Sequence, residues 1–262
     1  MATTQPAYSS AVNTSAENTS AENTAVSSSV LTESSSDRFT DRLWAETQAL
    51  RESIDSLEFL RRLGDGTLPL DAFRTYIEQD KLYLEGYSQA LSLVAAHAPN
   101  PQAAGFWSNS ASTAATVESS LHDGLLTGGI LPAESSRLEH SQACLGYVSY
   151  LIATAATAPY AVSAAAVLPC FWIYAEVGRD LAASAREVLD ADPTHPYAQW
   201  VSTYDAPEFH ESVAKARELV DAAANAATEA DREAMSEAFR IASRFELMFW
   251  DSALHPQPWP AS

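Results

Sequence analysis

Three side chains have the type and setting to do chemistry. Cys170 lies in Leu168-Pro169-Cys170-Phe171-Trp172-Ile173-Tyr174, directly after a proline, which has no backbone N–H and so starts or distorts a helical turn. Tyr174 is four residues on and shares its helical face. A thiolate here would be a nucleophile. A free cysteine on an apolar helix is also commonly a small buried hydrophobe, and spacing alone favours that reading. Asp80 sits in Gln79-Asp80-Lys81-Leu82-Tyr83-Leu84, with Tyr76, Tyr83 and Tyr87 at helical offsets, so a carboxylate lies beside a tyrosine stripe. The alternative is a solvated acid flanking core tyrosines. Glu246 lies in Phe245-Glu246-Leu247-Met248-Phe249-Trp250 and shares its side of the helix with Phe249 and Trp250. Lost hydration on such a face disfavours ionisation, which suits proton transfer. A rim position reaching water is the competing reading.

The elements that must position these groups read as helices throughout. Apolar residues recur at helical spacing from Asp37 to a stop at Gly64-Asp65-Gly66. Pro69 starts a second helix, expected to run to about His97. A third is expected over about 102–125, closing at Gly128-Gly129, and a fourth from near Pro132 to Thr157. A long apolar helix over 160–188 carries Cys170, and His195-Pro196 opens a short one ending near Tyr204. Residues 207–228 and 230–253 supply the last pair. The spacing predicts an all-α fold, a compact multi-helix bundle with some steep crossings, over residues 37–258. Residues 1–36 repeat Ser-Ala-Glu-Asn-Thr, contain no Lys or Arg, and are expected to form a disordered low-complexity tail.

Charge narrows the partners. With 34 acids, 15 bases and a net charge of −19, the surface repels phosphate backbones, which disfavours nucleic acid. Lys81 and Lys215 are the sole lysines, a balance that suits a salty cytoplasm, where screening acts over roughly 3 Å at 1 M salt. Cys144 and Cys170 are too few for a disulfide framework. The longest apolar run, Leu151 to Leu168, is broken by Pro159, so no membrane span is expected, and the Ser/Thr/Ala-rich N-terminus, which lacks a basic and an apolar stretch, is not expected to be a signal peptide. The expected compartment is the cytoplasm. Six scattered histidines lack metal-ligand spacing.

Taken together and in order, the segments resemble a known family. Gly64-Asp65-Gly66-Thr67-Leu68-Pro69 followed by Tyr76 and Gln79-Asp80-x-x-Tyr83-Leu84 is similar to the opening signature of the TenA/thiaminase II family. Glu118-Ser119-Ser120-Leu121-His122, the Cys170 segment through Gly178, and Asp192-Pro193-Thr194-His195-Pro196-Tyr197 with Trp200 resemble its succeeding pieces. Phe245-Glu246 with Phe249-Trp250 resembles its terminal helix. The resemblance spans about residues 39–254.

It implies a heme-oxygenase-like fold, assembly as a homotetramer, and no metal or cofactor. The implied activity is hydrolysis of 4-amino-5-aminomethyl-2-methylpyrimidine to the hydroxymethyl pyrimidine, with thiamin cleavage as a related reaction. Under this resemblance Cys170 adds to the pyrimidine ring and Glu246 shuttles protons. Asp80 holds the ring edge, Tyr204 contacts a ring nitrogen, Tyr83, Tyr147 and Phe249 line or stack on the ring, and Tyr174 orients the thiol. Tyr150 rivals Tyr147 for its place, and Cys144 matches no motif, which suits a structural role. Ala175 replaces a frequent second tyrosine, and Leu57-Glu58-Phe59 stands where His-Pro-Phe is common. A non-catalytic pyrimidine- or thiamin-binding regulator is the alternative function, but such a protein could dispense with Cys170 or Glu246, and this chain keeps both.

Overall fold

Proline and short polar caps mark where the helices begin. The computed structural model describes residues 38–127, 138–186 and 196–260. The expected tail over 1–36, the Gly128-Gly129 stop, the Pro132 start and His195 lie outside the described residues. Among the described residues the chain is helical, with α1 (Phe39–Glu46), α2 (Gln48–Asp55), α3 (Glu58–Gly64), α4 (Leu70–Ala96) and α5 (Pro101–Thr127) in its first half. The second half holds α6 (Gln142–Thr157), α7 (Tyr160–Ser184), α8 (Pro196–Tyr204), α9 (Pro207–Ala226) and α10 (Glu229–Leu254). Proline opens α5, α8 and α9, where a missing N–H costs nothing. Ser141 caps α6 by accepting from the Cys144 N–H, and Thr228 with Asp231 forms a reciprocal capping box on α10.

The first predicted helix is instead three. The Thr47 hydroxyl donates to the Leu43 carbonyl at 2.9 Å, and the Ser56 hydroxyl donates to Ser53 at 3.0 Å. Such side chains offer the backbone local alternatives to a continuous helix, and the chain turns at both places. At the end of α3, Asp65 accepts from the Thr67 N–H at 3.0 Å, and Gly66 takes a φ of 73°, the left-handed region that glycine enters without penalty. The expected fourth helix is also shorter at its described end, because residues 138–141 are extended and α6 starts only after the Ser141 cap.

The bundle is arranged around two long helices. α4 packs along α5 and α6, while α7 is surrounded by α8, α9 and α10. α7 is long and apolar enough to cross a membrane, although the sequence suggested that no segment was; 83% of its apolar window is buried inside the fold, as befits a core helix. It runs unbroken through Pro169, where an interior proline costs about 3 kcal/mol or more. Burial on nearly every side offsets that cost.

A four-layer stack fixes α7 against the N-terminal helices. The Arg51 guanidinium lies 3.8 Å from the Trp44 ring, Trp44 stacks on Trp172 at 4.1 Å and 14°, and Arg217 covers the far face of Trp172 at 3.9 Å. Each cation–π contact contributes about 0.5–2 kcal/mol. Arg217 is itself held by Asp41 at 2.5 Å, and Asp221 ties down Arg38 at 2.6 Å and the Thr40 N–H at 2.8 Å. Trp172 is two residues beyond Cys170, so anchoring it on one side of α7 turns the thiol towards the other.

Candidate active site

That other side of α7 opens on a cavity walled by α4, α5, α7, α8 and α9. Its inner end carries Asp80 and Tyr87 from α4, Cys170 and Tyr174 from α7, and Tyr204 from α8. Cys170 is partly exposed there, so it is not a fully buried hydrophobe. Cys144 is: its side chain is enclosed, and burial, with the nearby Asp80 charge, pushes its thiol up to about 12. The structural role expected for Cys144 agrees with this environment.

The thiol has a phenolic neighbour on another helix, Tyr87 of α4. The Tyr87 hydroxyl donates to the Val167 carbonyl at 2.8 Å and lies against Cys170, while its ring stacks on Tyr83 at 5.4 Å. Tyr174 is held from α4 as well. Its hydroxyl accepts from Tyr76 at 3.3 Å, and Tyr76 in turn accepts from the Trp200 indole at 3.2 Å. Tyr76 is thus a buried node connecting α4, α7 and α8 around Asp80. Burial raises the pKa of both phenols, and the Asp80 charge adds to that. They remain neutral hydrogen-bonding groups.

Tyr83, Tyr147, Glu246 and Phe249 form a layer immediately behind this wall. Glu246 is 1% exposed, which excludes the rim position. The Tyr147 hydroxyl donates to Glu246 Oε1 at 2.7 Å. Burial raises the Glu246 carboxyl to about 8, against the opposing effect of the Tyr147 hydrogen bond and with a further contribution from Asp80. At neutral pH it is therefore a buried acid holding a proton. Tyr83 lies between Tyr147, with ring centroids 4.9 Å apart, and Phe249 at 5.5 Å. Its buried hydroxyl makes no hydrogen bond of ordinary geometry among the described residues, yet it is close enough to favour the ionised form of Tyr147. Thiol, phenols and carboxyl thus adjoin one another, and Cys170 and Glu246 both act electrostatically on Tyr83.

The competition between Tyr147 and Tyr150 is resolved by direction. Tyr150 is half-buried, its ring rests on Phe245, and its hydroxyl reaches the Ala238 carbonyl at 3.4 Å. Tyr147 alone of the two meets Glu246.

Tyr204 reaches the cavity because α7 and α8 touch at a glycine. A Cβ on Gly178 would stand 2.8 Å from the Tyr204 carbonyl carbon and 2.9 Å from its oxygen. Backbone cannot swing aside as a side chain can. Gly178→Ala is therefore expected to push the end of α8 away, lowering stability by about 1–3 kcal/mol and weakening ligand affinity through Tyr204. Thermal melting and calorimetric titration read the two effects; an unchanged affinity would mean that Tyr204 does not depend on this contact.

The sequence reading missed Tyr87 as the thiol's neighbour and the whole outer wall, formed by Phe106, Asn109, Ser110 and Thr113 of α5 with Phe209 and Ser212 of α9. The regular tyrosine spacing on α4 pointed towards Tyr87. Asn109 and Thr113 look like an ordinary solvated helix face.

Comparison with known proteins agrees with this architecture. The TENA/THI-4/PQQC family pattern matches residues 44–255. The chain is 38% identical over 222 residues to "Thiamine biosynthesis multifunctional protein ThiED" of Corynebacterium efficiens, covering 84% of this chain but only 29% of that protein's length. It is 33% identical to "Aminopyrimidine aminohydrolase" of Bacillus subtilis, covering 78% of this chain and 84% of that one. Among solved structures, a TenA homologue from P. horikoshii superposes with a TM-score of 0.72 at 29% identity, covering 83% of this chain and 99% of that one. A domain from Shewanella denitrificans described as having a heme oxygenase-like fold superposes at 0.66 with 12% identity, over 82% and 92% of the two chains, which bears on fold alone. The expected all-α, heme-oxygenase-like fold is the one observed. With the family's pattern running through every element that builds the cavity, the chain belongs to the TENA/THI-4/PQQC family.

Proposed function

We propose that the chain hydrolyses a C–N bond of thiamin-related pyrimidines, converting 4-amino-5-aminomethyl-2-methylpyrimidine and water to the hydroxymethyl compound and ammonia. The observation that carries this reading is the convergence of Asp80 and the Cys170 thiol on one aromatic cavity, backed by a carboxyl that holds its proton up to about 8. The name of the Bacillus subtilis relative supports the same chemistry.

In this reading the Cys170 S–H adds across a ring C=N bond, sulfur to carbon and proton to nitrogen. The ring's electrons then expel the amine from the exocyclic carbon, and Glu246 supplies the proton that makes it ammonia. Asp80 faces the ring nitrogen, which becomes cationic at this stage, and its negative charge stabilises it. Water adds to the exocyclic carbon while the Glu246 carboxylate takes its proton, and the C–S bond breaks to return the thiol. Because Glu246 stands behind the wall, the Tyr147 and Tyr83 hydroxyls connect it to the reacting atoms. Tyr174 and Tyr204 pack on the heterocycle, whose flat faces suit aromatic neighbours.

The experiment is an ammonia-release assay with the aminomethyl pyrimidine and thiamin side by side. Turnover of either supports the hydrolase; tight binding with no turnover of either would replace it with a pyrimidine-binding regulator. The homotetramer is part of the proposal, with exposed Leu145 and Met248 offering apolar surface for contact between copies. Sedimentation would reject it by finding a monomer.

A further inference from the structure

A thiolate in this cavity lacks the usual sources of help. Cys170 stands well inside α7, away from the positive end of the helix. Among the described residues no Arg, Lys or His lines the space it faces. The acids nearby work against a negative sulfur. Asp80 is a carboxylate on the same wall, and Glu246 in the layer behind becomes an anion above about 8. The other titratable groups around the thiol are phenols: Tyr83, Tyr147, Tyr174, Tyr204 and Tyr87. Burial keeps the first three neutral.

Tyr87 is the phenol that can stand in for a cation. Its ring is fixed by the Tyr83 stack, at 5.4 Å and 18°, and by Phe171 at 6.1 Å. Its hydroxyl donates to the Val167 carbonyl at 2.8 Å, and the Cys170 sulfur is within its hydrogen-bonding reach as well. A hydroxyl has one proton and serves one of these acceptors at a time. Rotation about the C–O bond exchanges them. The carbonyl can spare the bond, because inside the unbroken helix it has the amide four residues on as its ordinary partner. A charged sulfur cannot, since a buried charge left without a donor is costly. Burial, with the charge of an ionised Cys170 adding to it, raises the Tyr87 pKa well above the usual phenol value. The phenol therefore keeps its proton and remains a donor.

We propose that Tyr87 is a further catalytic residue, whose hydroxyl turns from the Val167 carbonyl to the Cys170 sulfur as that sulfur takes on charge. The proposal rests on the hydrolase reading for the reaction, but not for the contact. As the thiol proton leaves for the ring nitrogen, the sulfur's electron pair forms the C–S bond. Tyr87 steadies the charge that gathers on sulfur between these events. When the C–S bond breaks, the pair returns to sulfur, and the same hydrogen bond holds it until it regains its proton from the ring nitrogen. Tyr87 gives up no proton at either stage.

The test is the pH profile of Cys170 labelling by iodoacetamide in Tyr87→Phe, which keeps the ring and its packing and removes only the hydroxyl. The profile is expected to move up by about one pH unit, with labelling at pH 7 about tenfold slower, the scale of one hydrogen bond to a charged group. A fluorotyrosine in place of Tyr87, a stronger donor of nearly the same shape, should move the profile down. A packing role would move neither. Profiles that coincide with that of the unaltered protein would overturn the contact, and the fluorotyrosine protein decides the matter alone if Tyr87→Phe fails to fold. In Tyr87→Phe, kcat for the aminomethyl pyrimidine should fall about tenfold while its Kd changes less than about twofold. A shifted profile with unchanged kcat would overturn the catalytic role. If the unaltered protein turns over no pyrimidine, the hydrolase reading fails separately, and the labelling profiles still decide whether Tyr87 serves the sulfur.

Discussion

Cys170→Ala is expected to lower ammonia release from the aminomethyl pyrimidine by about 10³-fold or more, because the covalent route disappears and water alone must attack an unactivated carbon. Ligand affinity should change by only a few fold, since Asp80, Tyr174 and Tyr204 remain in the wall. The thiol is partly exposed, so its loss leaves no sealed core void, and the melting temperature should shift little. Turnover and calorimetric binding measured on one preparation separate these effects. Near-normal turnover would remove Cys170 from the chemistry whatever its position; lost binding together with lost turnover would make it a packing residue.

Glu246→Gln is the second large effect. The amide is a neutral isostere of the protonated carboxyl, so the buried layer should hold together while proton delivery is lost, lowering kcat by about 10²–10⁴-fold. The pH dependence carries the sharper signature. In the unaltered protein kcat should fall as pH rises through about 8, where the carboxyl gives up its proton, and the variant's residual activity should lack that limb. Stability follows the same proton. Below the ordinary carboxyl value of 4.5 both folded and unfolded chains are protonated. Between there and about 8 only the folded chain keeps the proton, so stability declines with rising pH and levels off above that value. Urea midpoints at pH 6 and pH 9 should therefore differ more for the unaltered protein than for Glu246→Gln. Equal differences would mean that Glu246 is ionised already at neutral pH.

Parts of this site could be read from the chain alone, each for a physical reason. Glu246 stands out because large apolar residues surround it in sequence, but that setting left a rim position open, and only the packing of α10 buries it. Asp80 and the tyrosine stripe of α4 follow from helical periodicity, which says what shares a face. Periodicity cannot say what the face meets. It left Tyr147 and Tyr150 as rivals, although they are only three residues apart, because the choice depends on where α10 packs. It put Cys170 and Tyr174 on one helical face but could not show that Tyr87 of α4 also meets the thiol. The outer wall was illegible for the same reason: Asn109 and Ser212 are ordinary surface residues until α5 and α9 converge over one cavity. The first helix was drawn too long because Thr47 and Ser56 divert the backbone locally, a competition that apolar spacing does not register.

The central claim, that Cys170 is the working thiol of this cavity, is tested most directly by alkylation. With limiting iodoacetamide, activity should fall in proportion to the fraction of Cys170 labelled, and the aminomethyl pyrimidine should slow both together. Cys144, enclosed and with its thiol pushed up to about 12, should stay unlabelled. Full activity in protein whose Cys170 is completely alkylated would contradict the account.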